Sequence, residues 1–160
     1  MVTLETRTLI RAPIERCFDL ARSVEVHLAG NLHYGESAVA LAGVTSGLLA
    51  LSDRVTWRAK HFGIRQTLTS EITAFDRPTN FQGTMLRGIF RVMRHDHFFR
   101  ALSPSETEMR DVFTFAAPLP PLGLIAEALL LRRYMLVLLQ ERNQVIREIA
   151  ESNAWKRYLA

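Results

Sequence analysis

The sequence predicts an α+β fold: a curved antiparallel sheet of six or seven strands wrapped around one long C-terminal helix, with two short helices after the first strand. Three observations carry that expectation. Segments alternating between apolar and polar residues recur, with turn signals between them. The chain closes on an apolar pattern of helical period about thirty residues long. A sheet with one apolar face needs a cover, and only that helix is large enough to supply it.

In order along the chain, residues 2–10 read as a strand with Val2, Leu4, Thr6, Thr8 and Ile10 on one face. Pro13 suits the first turn of a helix whose apolar positions are Ile14, Cys17, Phe18 and Ala21. Ser23 is the expected N-cap of a second short helix, apolar at Val24, His27 and Leu28 and broken by Gly30 and Asn31. A small-residue strand is expected near 36–45, then a loop around Gly47. The loop's Leu48, Leu49 and Leu51 are apolar enough to pack over something.

Strands are expected over 53–62, 64–75, 80–87, 91–102 and 106–116, with turns at Gly63, Asp76-Arg77-Pro78 and Ser103-Pro104-Ser105. Pro118, Pro120 and Pro121 end the sheet, and a helix runs from Gly123 to about 152. Its apolar positions include Ile125, Leu129, Met135, Leu136, Leu139, Ile146 and Ile149, which leaves Arg132, Arg133, Glu141, Arg142, Arg147 and Glu148 mostly available for the wet side.

A length of 160 residues fits one domain over 1–160, and 48% hydrophobic with 22% charged residues argues against disorder. The net charge of +4 favours anionic partners, but the arginines are scattered, so no nucleic-acid partner is expected. Cys17 is the single cysteine, which excludes an intrachain disulfide and suits a reducing cytoplasm. No activating base is visible beside it, so it reads as a packing residue. The N-terminal segment alternates and lacks the apolar stretch of a signal peptide. The run from Leu129 to Leu139 is too short to span a bilayer, so no stable insertion is expected. Arg132-Arg133 beside Leu129, Leu130 and Leu131 leaves transient membrane contact open, against the plainer reading of core packing with snorkelled stems.

The segment Arg11-Ala12-Pro13-Ile14-Glu15-Arg16-Cys17-Phe18 resembles the x-A-P-x-x-x-V-F opening of the first helix in the START-like, or SRPBCC, superfamily, with Cys17 where Val is usual. The stretches GVTSG, DRVTWRAKHFG, LTSEITAFDRP, FQGTMLRGIF and RHDHFF, then FAAPLPPLG before a Leu-rich helix, resemble its bacterial ligand-binding and polyketide cyclase/dehydrase branch. The resemblance spans nearly the whole chain. It implies a helix-grip fold with a cavity between sheet and long helix, taking an apolar or aromatic small molecule such as a lipid, polyketide or quinone-like compound. It does not separate a binder from a cyclase or dehydratase, because fold does not fix function.

The residues themselves offer candidates. On one strand His95 and His97 share a face with Met93 and Phe99, and on the next Asp111 sits with Met109, Phe113 and Phe115. An inward aspartate in an apolar row needs a partner, and a histidine is the natural one. His95, His97 and Asp111 are therefore the candidates for acid–base work, for a metal site, or for a satisfied polar cluster that holds a ligand's polar group. His-x-His without a firmly placed carboxylate or third histidine is a weak metal pattern, and neither a metal nor a cofactor is expected. Trp57, His61, Gln66, Met85, Phe99, Phe113 and Leu129 complete the expected ligand-binding set, along with Phe62, Phe90 and Phe115 as further aromatic lining. Arg87 shares parity with Met85 and is either an inward partner for a carboxylate or an exposed strand-end arginine. A protein-interaction module is the weaker alternative, and the oligomeric state is left open.

Overall fold

The structure is a computed structural model that describes residues 1–35, 37–39, 43–117 and 124–160, with the side chains of 33, 37–39 and 124–127 left out. Its strands are β1 (Val2–Ile10), β2 (Ser37–Val39), β3 (Arg54–His61), β4 (Ile64–Asp76), β5 (Asn80–Arg87), β6 (Val92–Ser103) and β7 (Glu106–Ala116). Its helices are α1 (Ile14–Ala21), α2 (Val24–Gly30), α3 (Leu124–Glu151) and a terminal turn, α4 (Lys156–Leu159). The strands form one seven-stranded antiparallel sheet in the order β1-β7-β6-β5-β4-β3-β2. Every neighbour pair from β3 to β7 is a hairpin, and the chain returns to the first strand only because β1 pairs with β7 along its whole length.

Local chemistry accounts for the boundaries. Ser23 caps α2, its hydroxyl accepting from the Val26 N–H at 3.3 Å. The β3–β4 hairpin turns on Phe62 and Gly63, with φ of 52° and 75°. Two left-handed residues between paired His61 and Ile64 match the right-handed twist of the strands. Glycine suits that geometry and phenylalanine does not.

Of the expected small-residue strand near 36–45, only Ser37–Val39 is paired, positions 36 and 40–42 lie outside the described residues, and 43–45 are not in a strand. Pro118, Pro120, Pro121 and Gly123 also lie outside them. In the apolar loop Leu49 is buried while Leu48 and Leu51 stay exposed. Of the α3 charges expected mostly on the wet side, Arg142 is the exception, at 4% exposed.

At 28 residues, α3 is a rod of ~42 Å lying along the concave face. The apolar interior forms two clusters. One gathers α1, α2 and the ends of α3, β3, β4 and β5 around Phe18, which meets Phe75, Phe81 and Phe99 edge-on at 5.3–5.4 Å. The other joins Leu4, Phe90, Met93, Phe113, Phe115, Met135 and Leu139. Buried polar side chains of β6, β7 and α3 (His95, His97, Asp111, Arg142 and Asn143) accompany these two clusters.

Candidate functional site

A cavity of about 220 Å³ opens between the sheet and α3, with walls drawn from both clusters. Trp57, Ile72 and Phe81 come from the first, and Phe90, Met93, Phe113, Met135 and Leu139 from the second. Gly83 lines it opposite His95, and a Cβ there would meet nothing within 4 Å. The missing side chain is therefore part of the empty volume.

The polar wall is built by strand pairing. β6 and β7 set His97 directly across from Asp111, and His95 projects from the same face two residues earlier. Asp111 is fully buried, and its Oδ1 lies 2.6 Å from His97 Nδ1 and 3.2 Å from His95 Nε2. Its Oδ2 accepts from Asn143 Nδ2 at 2.6 Å, and the same amide reaches Thr6 at 3.0 Å. Arg142, one residue earlier on α3, sets Nη1 3.5 Å from His95 Nδ1 and Nη2 3.3 Å from His97 Nδ1. That guanidinium fits because α2 ends in Gly30, where a Cβ would stand 2.9 Å from Arg142 Cγ.

Burial would raise the Asp111 pKa. The nearby His97, hydrogen bonds from both histidines and the Arg142 charge outweigh it and hold the carboxyl well below the usual carboxylate range. Burial, then repulsion from His97, pushes His95 down to about 3, and burial likewise lowers His97. The cluster thus holds one anion, one guanidinium and two neutral imidazoles at pH 7. A nitrogen and a carboxylate oxygen approach to 2.6 Å only across a hydrogen, so Nδ1 of neutral His97 carries it and Nε2 is the bare, basic nitrogen. No protein group among the described residues bonds that Nε2. His95 uses Nε2–H on Asp111 and offers Nδ1 to Arg142.

His95, His97 and Asp111 do bring three ligand atoms within 4.8 Å of one another, so the carboxylate missing from the sequence pattern is in place. A divalent cation there would press against the Arg142 guanidinium, whose nitrogens already contact both rings. The proton-bridged network uses the same atoms without that repulsion.

At the cavity mouth His61 Nδ1 and the Tyr134 hydroxyl share a hydrogen bond of 2.7 Å. Phe62 leans on Tyr134 with ring centres 4.4 Å apart, and Tyr34 stands 5.2 Å from His61. Midway down, His27 stacks on Trp57 at 3.9 Å and joins Asn31. Gln66 lines the cavity with its Oε1 unbonded.

Of the residues singled out from sequence, Trp57, His61, Phe62, Gln66, Phe90, His95, His97 and Phe113 line the cavity. Asp111 lies behind the histidines rather than on the wall. Phe99 is two residues beyond His97, on the Phe18 cluster. Met85 packs beside Gly88 and Leu68 outside the wall, and Arg87 is exposed. Met85 pairs with the cavity-lining Ser70 and packs against the Phe90–Phe113 cluster, while a register shift between Met85 and Arg87 breaks the parity that the two would share. Leu129 is 61% exposed on the first turns of α3. Phe115 is buried but off the cavity. Sequence reasoning missed His27, Asn31, Tyr134 and Arg142 as wall residues. Gly30, unhelpful to a helix in its own right, was the available sign that something bulky crosses there.

No family model matches the sequence, and no curated protein matches it. Solved structures do. A START superfamily protein from Mycobacterium smegmatis superposes with a TM-score of 0.72 at 11% identity, covering 93% of this chain and 97% of that one. The chain has a START-like, helix-grip fold. The Zhui aromatase/cyclase from Streptomyces sp. R1128 matches at a TM-score of 0.64 and 14% identity over 92% of this chain and 95% of that one. A major latex-like protein from Panax ginseng matches at 0.63 and 12% over 99% and 98%. At such identities the likeness establishes the START-like architecture, and the side chains in the cavity are this chain's own.

Proposed function

We propose that the chain, acting as one domain in the cytoplasm, binds an apolar or aromatic small molecule that carries an oxygen at one end. The observation that carries this is a largely apolar cavity in which His97 and the charged Arg142 stand together on one wall, with further polar groups at His27, Asn31, His61 and Gln66. The apolar body would lie against Trp57, Phe81, Phe90 and Phe113, and a carbonyl or hydroxyl would meet the guanidinium and the bare imidazole nitrogen. The net neutrality of the polar cluster favours an uncharged oxygen over a carboxylate, since a second buried anion would have no counter-charge.

Native mass spectrometry of the protein, purified and then exposed to lipid, quinone and polyketide extracts, tests this. A retained compound that quenches Trp57 fluorescence is the expected result. Clean apo mass after every extract, with unchanged fluorescence, removes the reading.

A second reading is favoured by the Asp111–His97 pair. An aspartate that orients an imidazole with its second nitrogen free, beside a guanidinium, can take a proton next to a carbonyl while the cation steadies the developing oxyanion. That is the chemistry of a polyketide cyclase or dehydratase. Incubating a reactive poly-β-ketone with wild type and with His97→Gln decides it: cyclised product formed by the first and not the second supports catalysis, and equal product from both rejects it.

A further inference from the structure

The cavity mouth is ringed by side chains that the fold leaves unsatisfied. Among the described residues, Phe62 (57% exposed), Ile64 (64%), Leu86 (49%), Ile89 (37%), Leu129 (61%) and Leu130 (61%) lie in or next to the β3–β4 turn, the β5–β6 connection or the first turns of α3. These three segments meet at one place: Phe62, Ile89 and Leu131 line the same opening, and Phe62 touches Tyr134 of α3. Half a dozen exposed large apolar residues around one opening are more than a scattered surface supplies.

The charge there is mostly positive, with Glu127 the acid in the first turn of α3. Lys60, Arg65, Arg87, Arg91, Arg132 and Arg133 are exposed on those segments, and segments 60–65, 86–92 and 128–133 contain no carboxylate. None of these six cations makes an ion pair with a described residue. Elsewhere many arginines are matched: Arg22 and Arg77 on Asp19, Arg11 and Arg147 on Glu151, Arg54 on Glu71, and Arg100 on Glu108. Many arginines away from the mouth are thus ion-paired, whereas these six make no ion pair with a described residue and are interleaved with exposed leucine, isoleucine and phenylalanine.

We propose that this rim is a docking surface for an anionic lipid bilayer, with the apolar tips set into the headgroup boundary and the arginines on lipid phosphates. No helix among the described residues is long and apolar enough to cross a membrane, so the contact is peripheral. A bilayer fits better than a folded partner because the apolar side chains stand on three separate tips with cations between them, whereas a protein interface has a charge-depleted core. The proposal stands whatever the cavity holds. If both hold, the mouth opens directly onto the phase in which an apolar ligand dissolves.

Vesicle flotation with the full chain tests it, using phosphatidylcholine alone and phosphatidylcholine with one-third phosphatidylglycerol, at low and high salt. Binding to the anionic vesicles, weak binding to the neutral ones and loss at high salt are expected. Each cation near such a surface contributes enough that R132E with R133E should weaken binding roughly thirty-fold or more. L129S with L130S should weaken it at unchanged charge. R157E, an exposed cation on α4 at the other end, should leave it as in wild type. These positions are exposed, and circular dichroism of each variant checks that it folds like wild type. Failure to float with either vesicle, equal affinity for both, rim variants that bind like wild type, or a lipid-free dimer abolished by the same variants would each overturn the proposal.

Discussion

The two ends of the grip are built on opposite rules. At the α1 end every ring has a neighbour: Phe18 sits among Phe75, Phe81 and Phe99, Arg16 stacks on Trp155, and Asp19 takes two arginines. At the mouth Phe62 is held in a left-handed conformation that a bulky residue disfavours, Ile64 and Leu129 face outward, and the arginines make no ion pair with a described residue. The same strands run through both ends, so the contrast is not one of secondary structure. It lies in what the connections carry. Stability is concentrated where the chain closes on itself, and the mouth is left with surface that something else must cover.

Substitutions can break or sharpen that contrast. The largest effect is expected where the two regions meet. Asp111→Ala leaves the Arg142 guanidinium buried without its anion and should lower unfolding free energy by about 3–5 kcal/mol in urea titrations. A loss below about 1 kcal/mol would show that water enters the cluster freely. Phe18→Ala should come next, at about 3–4 kcal/mol, through the cavity left among three rings.

Acid should act on the cluster between the ends. His95 and His97 stay neutral in the fold, so below the ordinary histidine pKa the unfolded chain takes up protons that the folded chain does not. Stability should be level above pH 6.5 and fall as pH drops below it. The slope is at most about 1.4 kcal/mol per pH unit for each histidine. For His95 the loss runs down to about pH 3, and protonation of unfolded Asp111 near 3.8 adds to it in the same direction. Melting curves of His95→Gln against wild type should show a shallower acid slope; parallel slopes would mean that His95 takes its proton in the folded state. The smallest effect is expected at the mouth. Phe62→Asn trades a ring contact for a residue at ease in the left-handed region and should shift stability by less than about 1 kcal/mol. A loss as large as that of Phe18→Ala would erase the distinction between the two ends.

Much of this arrangement was legible in the residues. The alternation of β3, β4, β6 and β7 placed His95, His97 and Asp111 on one face, because a strand's period of two leaves little freedom once one face must be apolar. Ser23 announced α2 through its capping hydroxyl. Arg142 was not legible, since a helix pattern sends charge to water unless a buried anion claims it, and that anion is on another strand. Arg87 is the exposed strand-end arginine, one of the two readings left open, because a register shift between it and Met85 comes from pairing, which a strand read alone does not contain. Phe99 was right in direction and wrong in distance, since a facing residue two positions along has already passed the cavity.

The hydrogen between His97 Nδ1 and Asp111 Oδ1 joins a nitrogen and an oxygen only 2.6 Å apart, both on buried side chains. A proton confined in so short a bridge is strongly deshielded and exchanges slowly with solvent. It should give a line far downfield in the proton NMR spectrum, apart from every amide. Because the same ring stacks on Phe81 and borders the cavity, the position of that line reports on the cavity's contents without any added label. The protein thus carries its own indicator of occupancy, readable before the occupant is known.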